Sequence, residues 1–141
     1  MTLPFPPASS PRPGPDDNPG QQPGEAVLDA AALANLAQLD PTGANRLLSR
    51  VLTTYRSSMA RLLAQLALAR AQPDAATQRL VAHTLKSSSA SVGALWLSQL
   101  CSDVEKALRD GRLDDVPSLL DQLVAEAARV DAAVVHLLAD M

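Results

Sequence analysis

From Glu25 onward, apolar side chains return every third or fourth residue with polar ones between them, the spacing that lays a single stripe along an α-helix. Leu48, Leu52, Tyr55, Met59, Leu62 and Leu66 make one such stripe. Leu97, Leu100, Cys101, Val104 and Leu108 make a second, and Leu120, Leu123, Ala127, Val130, Val134 and Leu137 a third. Punctuation between the stripes sets the expected boundaries. Asp29 caps a short helix running through Leu39; Asp40 and Pro41 start a longer one, because proline fits a first helical turn where its missing N–H costs nothing. Pro73 ends that helix, Asp74 caps the next, and Gly93 closes it. Gly111 stops the fourth helix, and Asp114 caps the last, with Pro117 in its first turn. Four amphipathic helices on short connections predict an all-α fold: an antiparallel four-helix bundle, with the short N-terminal helix covering one end.

Composition supports helices. Hydrophobic residues make up 47% of the chain but aromatics only 2%, so the core must be built from Leu, Val and Ala, whereas sheets favour aromatic and β-branched residues. The first 24 residues break the pattern, holding eight of the eleven prolines and no apolar face. Segment 1–24 is therefore expected to be a disordered proline-rich tail or linker, and residues 25–141 the bundle domain. The net charge of −3 and the scattering of the twelve basic residues argue against a nucleic-acid partner. Cys101 is the single cysteine and cannot form an internal disulfide, which fits a reducing cytoplasm. No apolar run reaches the roughly 18 residues needed to cross a bilayer, and the N-terminus lacks the regions of a signal peptide. The expectation is a cytoplasmic protein without a membrane partner. The apolar stripes are used up within the bundle, which points to a monomer.

Residues 82–94 read AHTLKSSSASVGA, one histidine and one lysine in a run of small side chains. At about 100° per residue, Val81, Leu85, Ser88 and Val92 fall on one line facing the core. His83 lies about 180° from that line, as does Ala90, while Arg79, Lys86 and Ser87 flank the histidine one turn away. The imidazole should stand in solvent beside a cation, with nothing large toward its C-terminal side. An exposed imidazole with a pKa near 6.5 is substantially neutral and nucleophilic at cellular pH. Lys86 supplies a compact charge suited to a phosphoryl oxygen. Ser87, Ala90 and Ser91 leave room for another protein to approach. No acidic partner is expected beside His83, since positions 79, 80, 86 and 87 are Arg, Leu, Lys and Ser, so the position suits receiving a group better than general acid–base turnover.

At these residues the chain resembles the histidine phosphotransfer (HPt) domains of bacterial multistep phosphorelays. The likeness is carried by His83-Thr84-Leu85-Lys86-Ser87 with Gly93-Ala94, and by Leu100 through Glu105 and Gly111, and it covers about residues 28–138. The resemblance implies that His83 accepts a phosphoryl group from a receiver-domain aspartate and passes it to another. It implies too that Lys86 stabilises the phosphate, and that Ser87, Ala90 and Arg79 form part of the receiver-docking surface. The partners implied are response-regulator receiver domains or a hybrid sensor histidine kinase. The chain would need no cofactor of its own, the receiver bringing Mg²⁺ and the aspartate. It would be a phosphocarrier rather than an enzyme, without autokinase activity. Ser87 stands where the family most often has glycine, and Cys101 where it usually has a small apolar residue.

Other candidates carry less. His136 sits between Val135 and Leu137 in the last helix and reads as structural or solvated. Trp96 reads as an anchor for the start of the fourth helix. The two histidines lie on different helices without cysteine or carboxylate spacing around them, so no metal site is expected. The serine run lacks G-x-S-x-G and a nucleophile elbow. A sensor kinase would show an acidic residue and Leu-Arg after its histidine, together with a glycine-rich ATP-binding region. A helical adaptor would explain the stripes but not the bare surface around His83.

Overall fold

The computed structural model describes residues 27–141; the proline-rich segment 1–24 lies outside the described residues. Five helices follow in order. The first, α1 (Ala30–Ala37), begins where the Asp29 carboxylate accepts the Ala32 N–H at 3.0 Å. Leu33 and Leu36 lean on the core beside the buried Leu28, so the short helix closes one end of the molecule.

The second helix, α2 (Leu47–Ala71), opens later than Asp40 and Pro41 suggest. Residues 41–46 form turns instead, with Gly43 at φ 73° and Arg46 in the left-handed region at φ 51°. Asp40 still serves the helix, but from across that loop: its carboxylate accepts the N–H of Asn45 at 3.2 Å and of Leu47 at 3.1 Å. The third helix, α3 (Ala75–Ser91), is capped by Asp74, which accepts the Thr77 N–H at 3.1 Å. After α4 (Leu95–Arg109), a 3-10 turn over Leu113–Asp115 leads into α5 (Val116–Ala139). Asp114 is therefore not the cap. Asp115 holds that place with a helical backbone and makes no side-chain cap bond, because its carboxylate is taken by Arg112 at 3.1 Å. Pro117 stands in the first turn of α5.

Helices α2, α3, α4 and α5 pack in that cyclic order, α5 closing against α2. Cross-helix bonds fix an antiparallel register. Tyr55 Oη and Ser89 Oγ lie 2.8 Å apart between α2 and α3, and Gln78 Nε2 donates to Ala69 O at 3.0 Å lower on the same pair. Ser98 Oγ on α4 donates to Lys86 O at 2.9 Å. Arg56 with Asp131 at 2.7 Å and Arg70 with Asp121 at 2.8 Å join α2 to α5.

Leu52, Leu66, Leu85, Leu97, Leu100, Leu120 and Leu123 are fully enclosed. Each such leucine contributes about 1.5–3 kcal/mol relative to exposure. On α3 the core line runs through Val81, Leu85 and Val92, but the serine that joins it is Ser89, not Ser88. The Tyr55 phenol crosses the core and gives the Ser89 hydroxyl a partner, which makes burial of that serine tolerable. On α4, Ala107 is buried and Leu108 only half-buried.

Gly93 holds the covering helix in place. Its φ is +85°, and the Asp29 N–H donates to its carbonyl at 2.8 Å. A Cβ there would sit 2.8 Å from Asp29 N and 3.1 Å from Ala32 Cβ, so the position requires glycine both for its conformation and for the close approach.

Candidate functional site

His83 stands midway along α3, its side chain 65% exposed. The buried faces of α3 (Gln78, Val81, Ala82, Leu85 and Ser89) turn away from it. Arg79, Thr84, Ser87 and Ala90 are exposed around it, and all but the arginine are short side chains. The serines stay low for a further reason. Ser91 Oγ donates to Ser87 O at 3.1 Å and Ser88 Oγ to Thr84 O at 3.3 Å, folding both hydroxyls back onto their own helix.

One neighbour comes from outside α3. Glu105 of α4 places Oε2 3.0 Å from His83 Nδ1, and its Oε1 pairs with Lys86 Nζ. Thus an acidic partner does reach His83, although none lies on its own helix. Lys86 is 34% exposed and is engaged by the carboxylate rather than standing alone. Geometry within one helix could not reveal this contact, because its two ends are 22 residues apart and meet only through the α3–α4 packing. The available signal was the stretch Leu100 to Glu105, recognised by resemblance without a role for the glutamate.

The Glu105 carboxyl is 18% exposed. Burial alone would raise its pKa, but hydrogen bonds from Lys86 and His83, with their charges, outweigh that and hold it below its ordinary value. An ionised carboxylate only accepts hydrogen bonds. Nδ1 of His83 must therefore carry the proton it shares with Glu105, and in the neutral ring the lone pair is left on Nε2. Beneath the site Cys101 is fully buried, its thiol pushed up to about 12 by burial, with the nearby Glu105 charge adding to the effect. That thiol is inert packing.

His136 is far from this cluster; its Nε2 lies 3.7 Å from Asp140 on an exposed turn. Trp96 is half-buried against the core at the start of α4. Among the described residues, no group of three or more His, Cys, Asp or Glu side chains is placed to hold a metal, and no helix is long and apolar enough to cross a membrane.

The sequence matches the Hpt domain family over residues 50–133, a span that takes in α3, α4 and every residue of the His83 cluster. The chain belongs to the Hpt domain family. Solved structures agree. Histidine-containing phosphotransfer protein B (HptB) from Pseudomonas aeruginosa PAO1 superposes with a TM-score of 0.73 at 27% identity, covering 82% of this chain and 96% of that one. The HPT domain of an Hpt sensor hybrid histidine kinase from Shewanella shares the fold, with a TM-score of 0.67 at 24% identity over 82% of this chain and 96% of that one. No curated protein sequence matches. This Hpt domain thus serves histidine phosphotransfer in phosphorelay signalling, and Hpt domains work with hybrid histidine kinases and receiver domains.

Proposed function

We propose that Nε2 of His83 takes a phosphoryl group from a receiver-domain aspartate and yields it to a second receiver. The observation that carries this reading is the Nδ1–Glu105 hydrogen bond on a side chain that is 65% exposed, which leaves Nε2 as the nitrogen without a protein partner among the described residues. In the forward step the Nε2 lone pair forms the N–P bond as the P–O bond to the aspartyl carboxylate breaks. The carboxylate leaves with the electron pair. The imidazole began neutral with its proton on Nδ1, so the product ring is a phosphoimidazolium whose positive charge grows against Glu105. A counter-charge aligned with developing charge favours the transition state over the resting ring. It leaves the N–P bond reactive enough to be broken by the next aspartate. Lys86, one turn from His83, is placed to meet the phosphoryl oxygens and would share its charge between them and Glu105.

Ser87 and Ala90 keep the approach low, and Arg79 borders it. The protein acts as a monomeric phosphocarrier with no metal or cofactor of its own, the receiver supplying Mg²⁺ and the in-line arrangement. Incubation with ATP alone should leave the protein unlabelled, while a phosphorylated receiver domain should label it with an acid-labile phosphate. His83→Gln should abolish the label with helicity unchanged, and a persistent label on that variant would place the acceptor elsewhere. Lys86→Ala should slow transfer by about 10–100-fold, the weight of one charge-assisted contact. A kinase would label with ATP, and an adaptor would label with neither donor.

A further inference from the structure

Hydroxyls near the site take two courses. Ser88 and Ser91 on α3 turn back to carbonyls of their own helix, Thr84 O at 3.3 Å and Ser87 O at 3.1 Å. Ser98, near the start of α4, does the opposite. Its Oγ leaves its own helix and donates to Lys86 O in the middle of α3 at 2.9 Å, from a half-buried position. That carbonyl has a second lone pair beyond the one its own helix uses. Ser98 and Glu105 are seven residues apart on α4. Seven residues turn a helix through about 700°, about 20° short of two full turns. The two side chains therefore share the edge of α4 that faces α3, and both spend it on Lys86: the serine on its carbonyl, the glutamate on its ammonium group. Together with the His83–Glu105 bond, these are the polar side-chain contacts between α3 and α4 among the described residues.

The buried side chains of these two helices are otherwise mainly apolar, Val81 and Leu85 on α3 and Leu97, Cys101 and Val104 on α4 among them. Apolar contact has no direction. The connection through Val92, Gly93 and Ala94 fixes the height of α4 at its start but leaves its roll about its own axis to the side chains. A roll of about 20° would carry a side-chain tip about 5–6 Å from the axis through about 2 Å. Glu105 has little room to follow, because its two oxygens are held at once, Oε2 by His83 Nδ1 at 3.0 Å and Oε1 by Lys86 Nζ. We propose that Ser98 is a positioning residue for phosphotransfer: bonded to Lys86 O, its hydroxyl sets the roll of α4 at which one carboxylate meets both His83 and Lys86. This rests on the assignment of His83 as acceptor. Ser98 acts on the ring only through Glu105, and through it on which ring nitrogen keeps the lone pair.

The test compares Ser98→Ala, Ser98→Thr and Glu105→Gln in the full chain, with circular dichroism as the check on folding. Ring-nitrogen NMR of the unphosphorylated protein reads the His83 tautomer. Phosphoramidate, a small donor that needs no docked partner, reads transfer to the ring. Ser98→Ala should lose part of the bias toward a protonated Nδ1 and take label about three- to tenfold more slowly, the worth of one uncharged hydrogen bond. Ser98→Thr keeps the hydroxyl and should restore both. Added to Glu105→Gln, Ser98→Ala should cost nothing further, because the route through which it acts is already gone. An unmoved tautomer and rate in a folded Ser98→Ala would overturn the assignment. So would a threonine no better than alanine, or a loss that adds in full to that of Glu105→Gln. A wild-type chain that takes no label on His83 removes the acceptor reading and this role with it; a label that His83→Gln abolishes and Ser98→Ala leaves untouched removes Ser98 alone.

Discussion

Glu105 decides which nitrogen of His83 is available. Bound to the carboxylate, Nδ1 is a donor, and the ring cannot rotate without breaking a 3.0 Å hydrogen bond. Glu105→Gln keeps the shape but removes the negative charge that stabilises the growing imidazolium. We expect transfer to slow by about 10–100-fold in single-turnover measurements. Ring-nitrogen NMR should also lose its bias toward the Nδ1-protonated tautomer; an unchanged rate and tautomer would remove Glu105 from the mechanism. The acid limit has a definite sign. Because the folded carboxyl titrates below its ordinary value of 4.5, its stabilising contacts are complete above that value and fade only as the pH falls through the lower folded one. His83, Lys86 and the small residues about them were legible from one helix, since periodicity says which side chains point outward. Glu105 was not, because its place depends on how α4 slides against α3, and apolar periodicity fixes the face of a helix without fixing its register to a neighbour.

The stripes on α2, α4 and α5 anticipate their buried faces, and the disagreements fall at helix ends. Asp40 and Asp114 are both good capping residues by type. One caps across a loop and the other yields to a 3-10 turn, and a carboxylate that reaches across a loop looks the same in sequence as one at the N-cap. Burial of Ser89 in place of Ser88 was hidden for a related reason: it requires a phenol from α2 to supply the partner. The junction of α3 and α4 makes the sharpest case for a single position. Gly93→Ala asks an L-residue to hold φ +85° while its Cβ meets Asp29 backbone at 2.8 Å. The expected cost is about 1–3 kcal/mol in denaturant unfolding. Transfer at His83, in mid-helix, should change little while the variant stays folded.

Tyr55 reports on the integrity of the bundle. It is the sole tyrosine, so phenolate absorbance reads it alone. Burial pushes its pKa up to about 12, against the opposing pull of the Ser89 hydrogen bond. An unfolded phenol ionises near 10, so its contribution is whole below that pH and is lost as the pH rises from 10 toward 12. Phenolate should therefore appear together with loss of helicity at high pH; ionisation near pH 10 with helices intact would show the phenol to be accessible. Tyr55 also belongs to the set of bonds that stitch α3 in place, with Gln78 below and Ser98 from the side. Fastened on two flanks and at two heights, the backbone of α3 is held as a fixed platform beneath the ring. If His83 is the acceptor, the timing of the relay is kept between molecules, since one exposed ring would serve giver and taker in turn.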